Sequence, residues 1–239
     1  MDAQDSHGTN TLTNIGSVTY STGLIGKGAD LGTSNTSKYL SISSDLGING
    51  GNISIRILVK IRTALATGAT TILAAQRTSG STKILYTIRY YNESGVNKLK
   101  FYRTRLGVVD TFASYNVTLS TTNFQEITLT YDGTNIKGYL DGTEVASAAA
   151  SGSGTGTYTG LFQLGSYVNI QHSSSIIDEA ALWSKALTST EVVELNNSGS
   201  PIGYDSFTSG HKTNLISYWK LDGATVTPNF FPFLLAHAT

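Results

Sequence analysis

The sequence predicts an all-β protein, a sandwich or jelly roll of two antiparallel sheets with one short helix near residues 189–197, and three observations predict it. Apolar side chains alternate with polar ones along several extended segments, the period of a strand with one buried face. Clusters of Asn, Asp, Ser and Gly separate those segments at short intervals. Hydrophobic residues make up 39% of the chain and charged residues only 13%, so neutral Ser, Thr, Asn and Gly must dress the surface, as suits many strands and turns.

The segment NISIRILVKIR (52–62) carries the alternation most clearly. Ile53, Ile55, Ile57, Val59 and Ile61 fall on one side, and Ser54, Arg56, Leu58, Lys60 and Arg62 on the other. In KILYTIRYYNESGVNKLKFYRTR (83–105), turn residues Asn92 to Gly95 separate two runs rich in Tyr, Ile, Leu and Phe, which predicts a hairpin. A further strand is expected over 108–119. In FQEITLTYDGTNIKGYLDGTEVASA (124–148), Ile127, Leu129 and Tyr131 share a side. Two Asp-Gly pairs there punctuate three short strands, because Gly reaches positive φ cheaply and Asp bonds its own backbone. Residues 147–160 are low-complexity and read as a loop before the strand LFQLGS (161–166). The helix is predicted in ALTSTEVVELNNSG (186–199). Thr188 and Glu191 form a capping box, Leu187 and Val192 a hydrophobic staple, and Gly199 a stop.

With 239 residues the chain is long enough for one large β domain or two small ones. Sixteen Lys and Arg balance sixteen Asp and Glu, which leaves no field to favour nucleic acid or an anionic membrane. The absence of cysteine excludes disulfides, thiolate zinc sites and cysteine nucleophiles. No signal-peptide pattern follows Met1. The apolar run FFPFLLA (230–236) is shorter than the ~20 residues a membrane span needs, and is expected to pack on the protein or a neighbour.

Four stretches, in order, carry a resemblance: DSHGTNTLTNIGSVTYSTGLIGKGADLG (5–32), NISIRILVKI (52–61), ITLTYDGTNIKGYLDGTEV (127–145) and IIDEAALWSKALTSTEVVEL (176–195). Together they resemble the laminin-G-like branch of the concanavalin A-like lectin/glucanase jelly rolls. The resemblance implies a domain over 1–199 and an extension over 200–239. Leu58 and Phe124 stand where that family commonly carries Trp, and Gln125-Glu126 replaces its usual His pair. The family's opening strand, of the type tryptophan-x-leucine-aspartate, matches LISYWKLDG (215–223), after the helix rather than before Asp5-Ser6-His7-Gly8. A permuted domain, a strand donated to a neighbour and the start of a truncated second module all remain open.

Catalysis is not expected. A glycosidase of this fold needs carboxylates alternating on one strand so that both enter the groove, and no such run exists. Asp178 and Glu179 are adjacent, so strand alternation places them on opposite faces. Asp132 and Asp141 precede Gly in solvated turns, where a carboxylate makes a poor general acid. His7, His172, His211 and His237 lie in polar segments without motif spacing and are expected at the surface. The resemblance does imply calcium, with Asp5, Asp178, Glu179 and Asp222 as its acidic ligands alongside backbone carbonyls; the competing reading has Asp178 capping a turn. A second candidate set, Arg89, Tyr90, Lys100, Tyr102 and Arg103 in the tyrosine-rich hairpin, suits sugar rings or acidic glycans, although a solvated sheet face explains it as well. The expected function is non-catalytic recognition or adhesion, with a glycan or surface protein as partner, in an extracellular, cell-surface or virion setting. The alternative is an assembly domain of a phage or cell-surface fibre that binds itself or its neighbouring modules.

Overall fold

The computed structural model describes residues 3–33, 37–42, 46–48, 51–78, 84–104, 111–150, 160–167 and 171–223. In chain order its strands are β1 (Thr13–Ile15), β2 (Thr19–Thr22), β3 (Lys27–Asp30), β4 (Tyr39–Ile42), β5 (Ile53–Ile61), β6 (Thr70–Thr78), β7 (Ile84–Glu93) and β8 (Val96–Arg103). They continue with β9 (Thr111–Asn116), β10 (Gln125–Tyr131), β11 (Asn135–Leu140), β12 (Thr143–Ala149), β13 (Gly160–Leu164), β14 (Ser175–Trp183) and β15 (Leu215–Trp219). Helix α1 spans Ser189–Asn196, and the single turn α2 spans Ser209–Lys212.

Two antiparallel sheets face each other, as the alternation predicts. One has seven strands in the order β1-β4-β13-β6-β7-β8-β9, and the other runs β12-β11-β10-β5-β14-β3-β2 with β15 added on β14. Between them lies one large apolar cluster. It takes Ile53, Ile55, Ile57, Val59 and Ile61 from β5, Ile127, Leu129 and Tyr131 from β10, and Tyr86, Ile88 and Tyr90 from β7. Period two on each strand thus becomes a two-walled core. The predicted hairpin is present, with Glu93 opposite Val96 and the Gly95 N–H donating to Asn92 Oδ1 (3.0 Å).

Both Asp-Gly pairs are turns. Gly133 and Gly142 have φ of +94° and +78°, a region that costs glycine little. Asp132 Oδ1 accepts from the N–H groups of Thr134 (2.8 Å) and Asn135 (2.7 Å), and Asp141 Oδ1 accepts from the Glu126 N–H (2.8 Å). In register, β11 follows β10 with Tyr131 opposite Ile136, and β12 follows β11 with Leu140 opposite Thr143.

Every residue of β14 is buried, because both of its faces are covered. Ile177, Ala180 and Leu182 face the main core. Ala181 and Trp183 enter a second cluster with Leu187, Val192, Leu195, Phe207 and Tyr218, which α1 roofs. The Thr188–Glu191 capping box fixes the start of α1 as expected. Its end lies earlier than Gly199: Asn197 adopts left-handed geometry and its N–H returns to the Val193 carbonyl. A second helical turn, α2, was not legible, although Thr208 and His211 cap it in the same reciprocal way.

β15 pairs with β14 of the same chain, Ala180 opposite Trp219. The Trp219 ring stacks on Phe162 at 5.3 Å between centroids, and its Nε1–H donates to the Asn10 carbonyl (2.6 Å). Strand and N-terminal segment are therefore tied together across the edge of the sheet. No helix among the described residues is long and apolar enough to cross a membrane. Arg105, His237, the 230–236 run and most of the 147–160 loop lie outside the described residues.

Candidate functional site

The first candidate site grows from an irregularity in β14. Asp178 pairs with Leu58 and Ala181 with Arg56, so Glu179 and Ala180 together oppose one residue of β5. This is a β-bulge, and Glu179 takes a φ of +48°. Strict alternation therefore fails here, contrary to the expectation of opposite faces. Asp178 and Glu179 instead act electrostatically on each other and with Asp222.

Asp178 Oδ2 accepts from the N–H groups of Leu24 (2.9 Å) and Ile25 (3.0 Å), and Asp222 Oδ1 accepts from Lys27 N–H (2.7 Å). These carboxylates cradle the turn between β2 and β3, so Asp178 does cap a turn. Its Oδ1, however, is buried without a partner. Glu179 accepts a hydrogen bond from the Tyr218 hydroxyl. Burial, then the neighbouring Asp222 charge, pushes Asp178 up to about 7, against the pull of the backbone N–H donors. Burial and the Asp178 charge push Glu179 up to about 8, although Arg56 pulls it down. A cavity of about 230 Å³ opens beside the group, lined by Ile25, Glu179, Gly203, Tyr204, Lys220 and Asp222. Asp5 is committed elsewhere: Oδ1 accepts from His7 (2.9 Å) and Tyr218 (3.0 Å) N–H groups and Oδ2 from Asn10 (3.1 Å), which pins the N-terminal segment to β15. Among the described residues, no three His, Cys, Asp or Glu side chains converge as a metal-holding group. Asp178, Glu179 and Asp222 each have one oxygen engaged in a hydrogen bond.

The second candidate site lies on the outer face of the seven-stranded sheet, and the hairpin set divides by parity. Tyr90 is 1% exposed inside the core, where its hydroxyl oxygen accepts from the Leu119 N–H (3.2 Å). Arg103 is also internal, donating Nη1–H to the Ala150 carbonyl (3.0 Å) and lying 4.1 Å from the Tyr131 ring centroid. Neither side chain reaches a surface ligand. Arg89, Lys100 and Tyr102 do share the outer face. Arg89 stands 4.7 Å from the Tyr102 centroid, and Lys100 stands 4.3 Å from both Tyr91 and Phe112. Phe112, 42% exposed, is the member that sequence reasoning missed; its pairing opposite Tyr102 is the signal that places it. Arg89 and Lys100 are directly opposite in register. Among the described residues neither forms an ion pair, whereas nearby Lys98 is held by Glu93 (2.6 Å).

The acid–base alternatives fall away on geometry. Partial burial would raise Asp132, but the N–H groups of Asn135 and Thr134 outweigh it and hold the carboxyl below its ordinary range, the wrong direction for a general acid. Asp141 Oδ2 is occupied by the Gln125 amide (3.3 Å). Contrary to expectation, His211 is not at the surface: it is 4% exposed, with Nε2 3.1 Å from Glu194.

Two facing antiparallel sheets in this strand order form a jelly-roll sandwich of the lectin-like class. The chain belongs to the concanavalin A-like lectin/glucanases superfamily, whose Laminin_G_3 family model matches residues 34–193. No curated protein matches it in sequence. Among solved structures it is similar to the binding domain of Botulinum Neurotoxin DC in complex with SialylT, at 13% identity and a TM-score of 0.64 over 83% of this chain and 50% of that one. It is also similar to domain 4 of AbnA, an extracellular arabinanase from Geobacillus stearothermophilus in complex with arabinotriose, at 17% identity and TM-score 0.56 over 81% of this chain and 98% of that one. Full-length tailspike protein 2 of an Escherichia coli O157:H7 bacteriophage matches at 13% identity and TM-score 0.62 over 91% of this chain. The chain thus spans half of the toxin domain's length and 30% of the tailspike's. At such identities the shared property is the fold.

Proposed function

We propose that this chain is a non-catalytic recognition module that binds an acidic glycan on the outer face of the seven-stranded sheet. The observation that carries this reading is the Arg89–Lys100 pair. Like charges directly opposite destabilise an antiparallel pair. Here each cation rests on aromatic rings instead of a carboxylate, an attraction of roughly 0.5–1 kcal/mol at exposed sites. A sugar carboxylate or sulfate would neutralise both, and Tyr102 and Phe112 offer apolar surface for the ring. The toxin domain with SialylT and the arabinanase domain with arabinotriose lend support by analogy of fold. Such a module belongs in an extracellular, cell-surface or virion setting. A glycan array with the intact chain tests it: Arg89→Ala, Lys100→Ala and Tyr102→Ala should each abolish or strongly weaken binding to acidic glycans, and unchanged signals in all of them reject the reading.

A second reading, an assembly domain within a fibre, has the support of fold analogy with the tailspike protein alone. Self-association without any glycan signal would select it.

Calcium beside β14 is part of the same proposal. Because no three of these side chains converge, two of Asp178, Glu179 and Asp222, completed by backbone carbonyls, would hold the ion, and the ion would supply fixed positive charge there. Asp5, with both oxygens engaged by backbone N–H groups, is left out of the set. We further infer that residues 200–223 belong to the same domain as 1–199, with β15 in the place of the family's opening strand.

A further inference from the structure

The two sheets end in β1, β9, β12 and β2, and three of these edges are blunted. β1 and β2 are only three and four residues long. β12 carries Glu144 and shifts register once against β11. β15 is covered by the N-terminal segment, where the Ser6 N–H donates to the Tyr218 carbonyl (2.7 Å). β9 has no such protection: Thr111–Asn116 is six residues in regular register with β8, without a charge or a proline. Natural edges carry such devices because a bare ladder recruits another strand. Two of the five large apolar side chains exposed among the described residues, Phe112 (42%) and Tyr115 (38%), also lie on β9.

The parity of the ladder identifies the free backbone groups. Val117 N–H donates to the Asn97 carbonyl (2.9 Å), and the register continues with Tyr115 opposite Leu99 and Ala113 opposite Phe101. Hydrogen-bonded and non-hydrogen-bonded pairs alternate along an antiparallel ladder. Ala113 and Tyr115 therefore turn their N–H and C=O groups toward β8, and Phe112, Ser114 and Asn116 turn theirs toward the open edge. The side chains of these last three share the outer face, opposite Tyr102, Lys100 and Lys98, and all three residues are exposed. Lys98 is held by Glu93. Lys100 has no carboxylate partner among the described residues, and its Nζ reaches over the β9 side chain of Phe112 (4.3 Å). Ser114, directly opposite Lys100, is too small to screen that charge from the edge.

We propose that β9 accepts an extended acidic segment of a partner protein as an added antiparallel strand. In this mode main-chain hydrogen bonds, here to residues 112, 114 and 116, give affinity, and alternate side chains give specificity. Opposite Phe112 the face suits an apolar or aromatic residue; opposite Ser114 it suits a carboxylate that pairs with Lys100 across the serine. A second copy of this chain fits poorly, because β9 brings no carboxylate and two-fold pairing sets another Lys100 on the same row, where like charges oppose pairing. The contact shares Lys100 with the glycan reading but rests on backbone groups that reading does not use.

The test is a heteronuclear NMR titration of the full chain with a capped peptide that reads threonine, valine, glutamate, valine, phenylalanine between terminal serines. This order places glutamate opposite Ser114 and phenylalanine opposite Phe112. Saturable shifts in the amides of 111–117 are expected. Ser114→Pro should weaken binding about tenfold or more, since the N–H it removes faces outward and the β8 ladder is kept. N-methylation of the peptide's glutamate should do the same to the unmodified chain, so the result does not depend on how the variant folds. Lysine in place of that glutamate should also cost about tenfold, and Lys100→Glu should restore it. Absence of saturable shifts over 111–117, equal binding of the N-methylated peptide, or indifference to the charge swap overturns the proposal. Self-association of the free chain that Ser114→Pro abolishes would assign the edge to a second copy and overturn it as well. Ser114→Pro leaves Arg89, Lys100 and Tyr102 in place, so failure here leaves the glycan reading standing.

Discussion

Asp178 and Glu179 stand beside each other on a fully buried strand, and their protonation links this site to stability. In the unfolded chain such carboxyls ionise near pH 4, whereas burial holds them up to about 7 and about 8 in the fold. Between those limits the folded state binds more protons, so stability falls as pH rises and levels off above about 8. In calcium-free buffer the melting temperature is expected to decline from about pH 5 to pH 8, with a shallower decline in Asp178→Asn. A flat profile in the unmodified chain would contradict the burial argument. At pH 8, calcium at ~100 times its dissociation constant should restore about 2.7 kcal/mol by mass action, and a chelator should reverse it; no shift at millimolar calcium rejects the calcium proposal. Gly138 is a different residue-scale constraint, because a Cβ there would collide with the Phe101 ring. Gly138→Ala should cost about 1–3 kcal/mol in denaturant unfolding, the usual penalty of overpacking.

At the scale of elements, α1 and β15 test different physics. The start of α1 is local: Thr188 Oγ1 accepts from Glu191 N–H (3.2 Å) and the Glu191 carboxylate accepts from Thr188 N–H (2.8 Å). Thr188→Ala should therefore cost about 1 kcal/mol, read as a lower melting temperature with the fold retained. This element was legible because a capping box and a staple are written in consecutive residues. β15 depends on distant partners. Trp219 is fully buried, stacked on Phe162 and bonded to Asn10, so Trp219→Ala should cost on the order of 3–5 kcal/mol. A loss below ~1 kcal/mol would mean that β15 is not integral to the core. Its strand character was readable in LISYWKLDG, but its place on β14 was not, since nothing local specifies which edge a strand joins.

For the whole molecule, β15 occupies the edge of its own sheet, so the intact chain should elute as one species whose melting temperature does not change with protein concentration. A concentration-dependent oligomer would instead favour a strand given to a neighbour or the fibre-assembly reading. By itself the sequence determined the class of fold, the main strands, both Asp-Gly turns and the cap of α1, because each follows from side-chain alternation or from hydrogen bonds within a few residues. It also named most of the residues that stand at the two candidate sites. Only the tertiary structure decided how they divide. Parity within the β7–β8 hairpin sends Tyr90 and Arg103 inward and leaves Arg89, Lys100 and Tyr102 outside. A bulge brings Asp178 and Glu179 into one electrostatic group with Asp222, while Asp5 becomes a fastening for the N-terminal segment. The physical reason is that register and bulges are properties of strand pairs, settled by contacts between residues far apart in the chain.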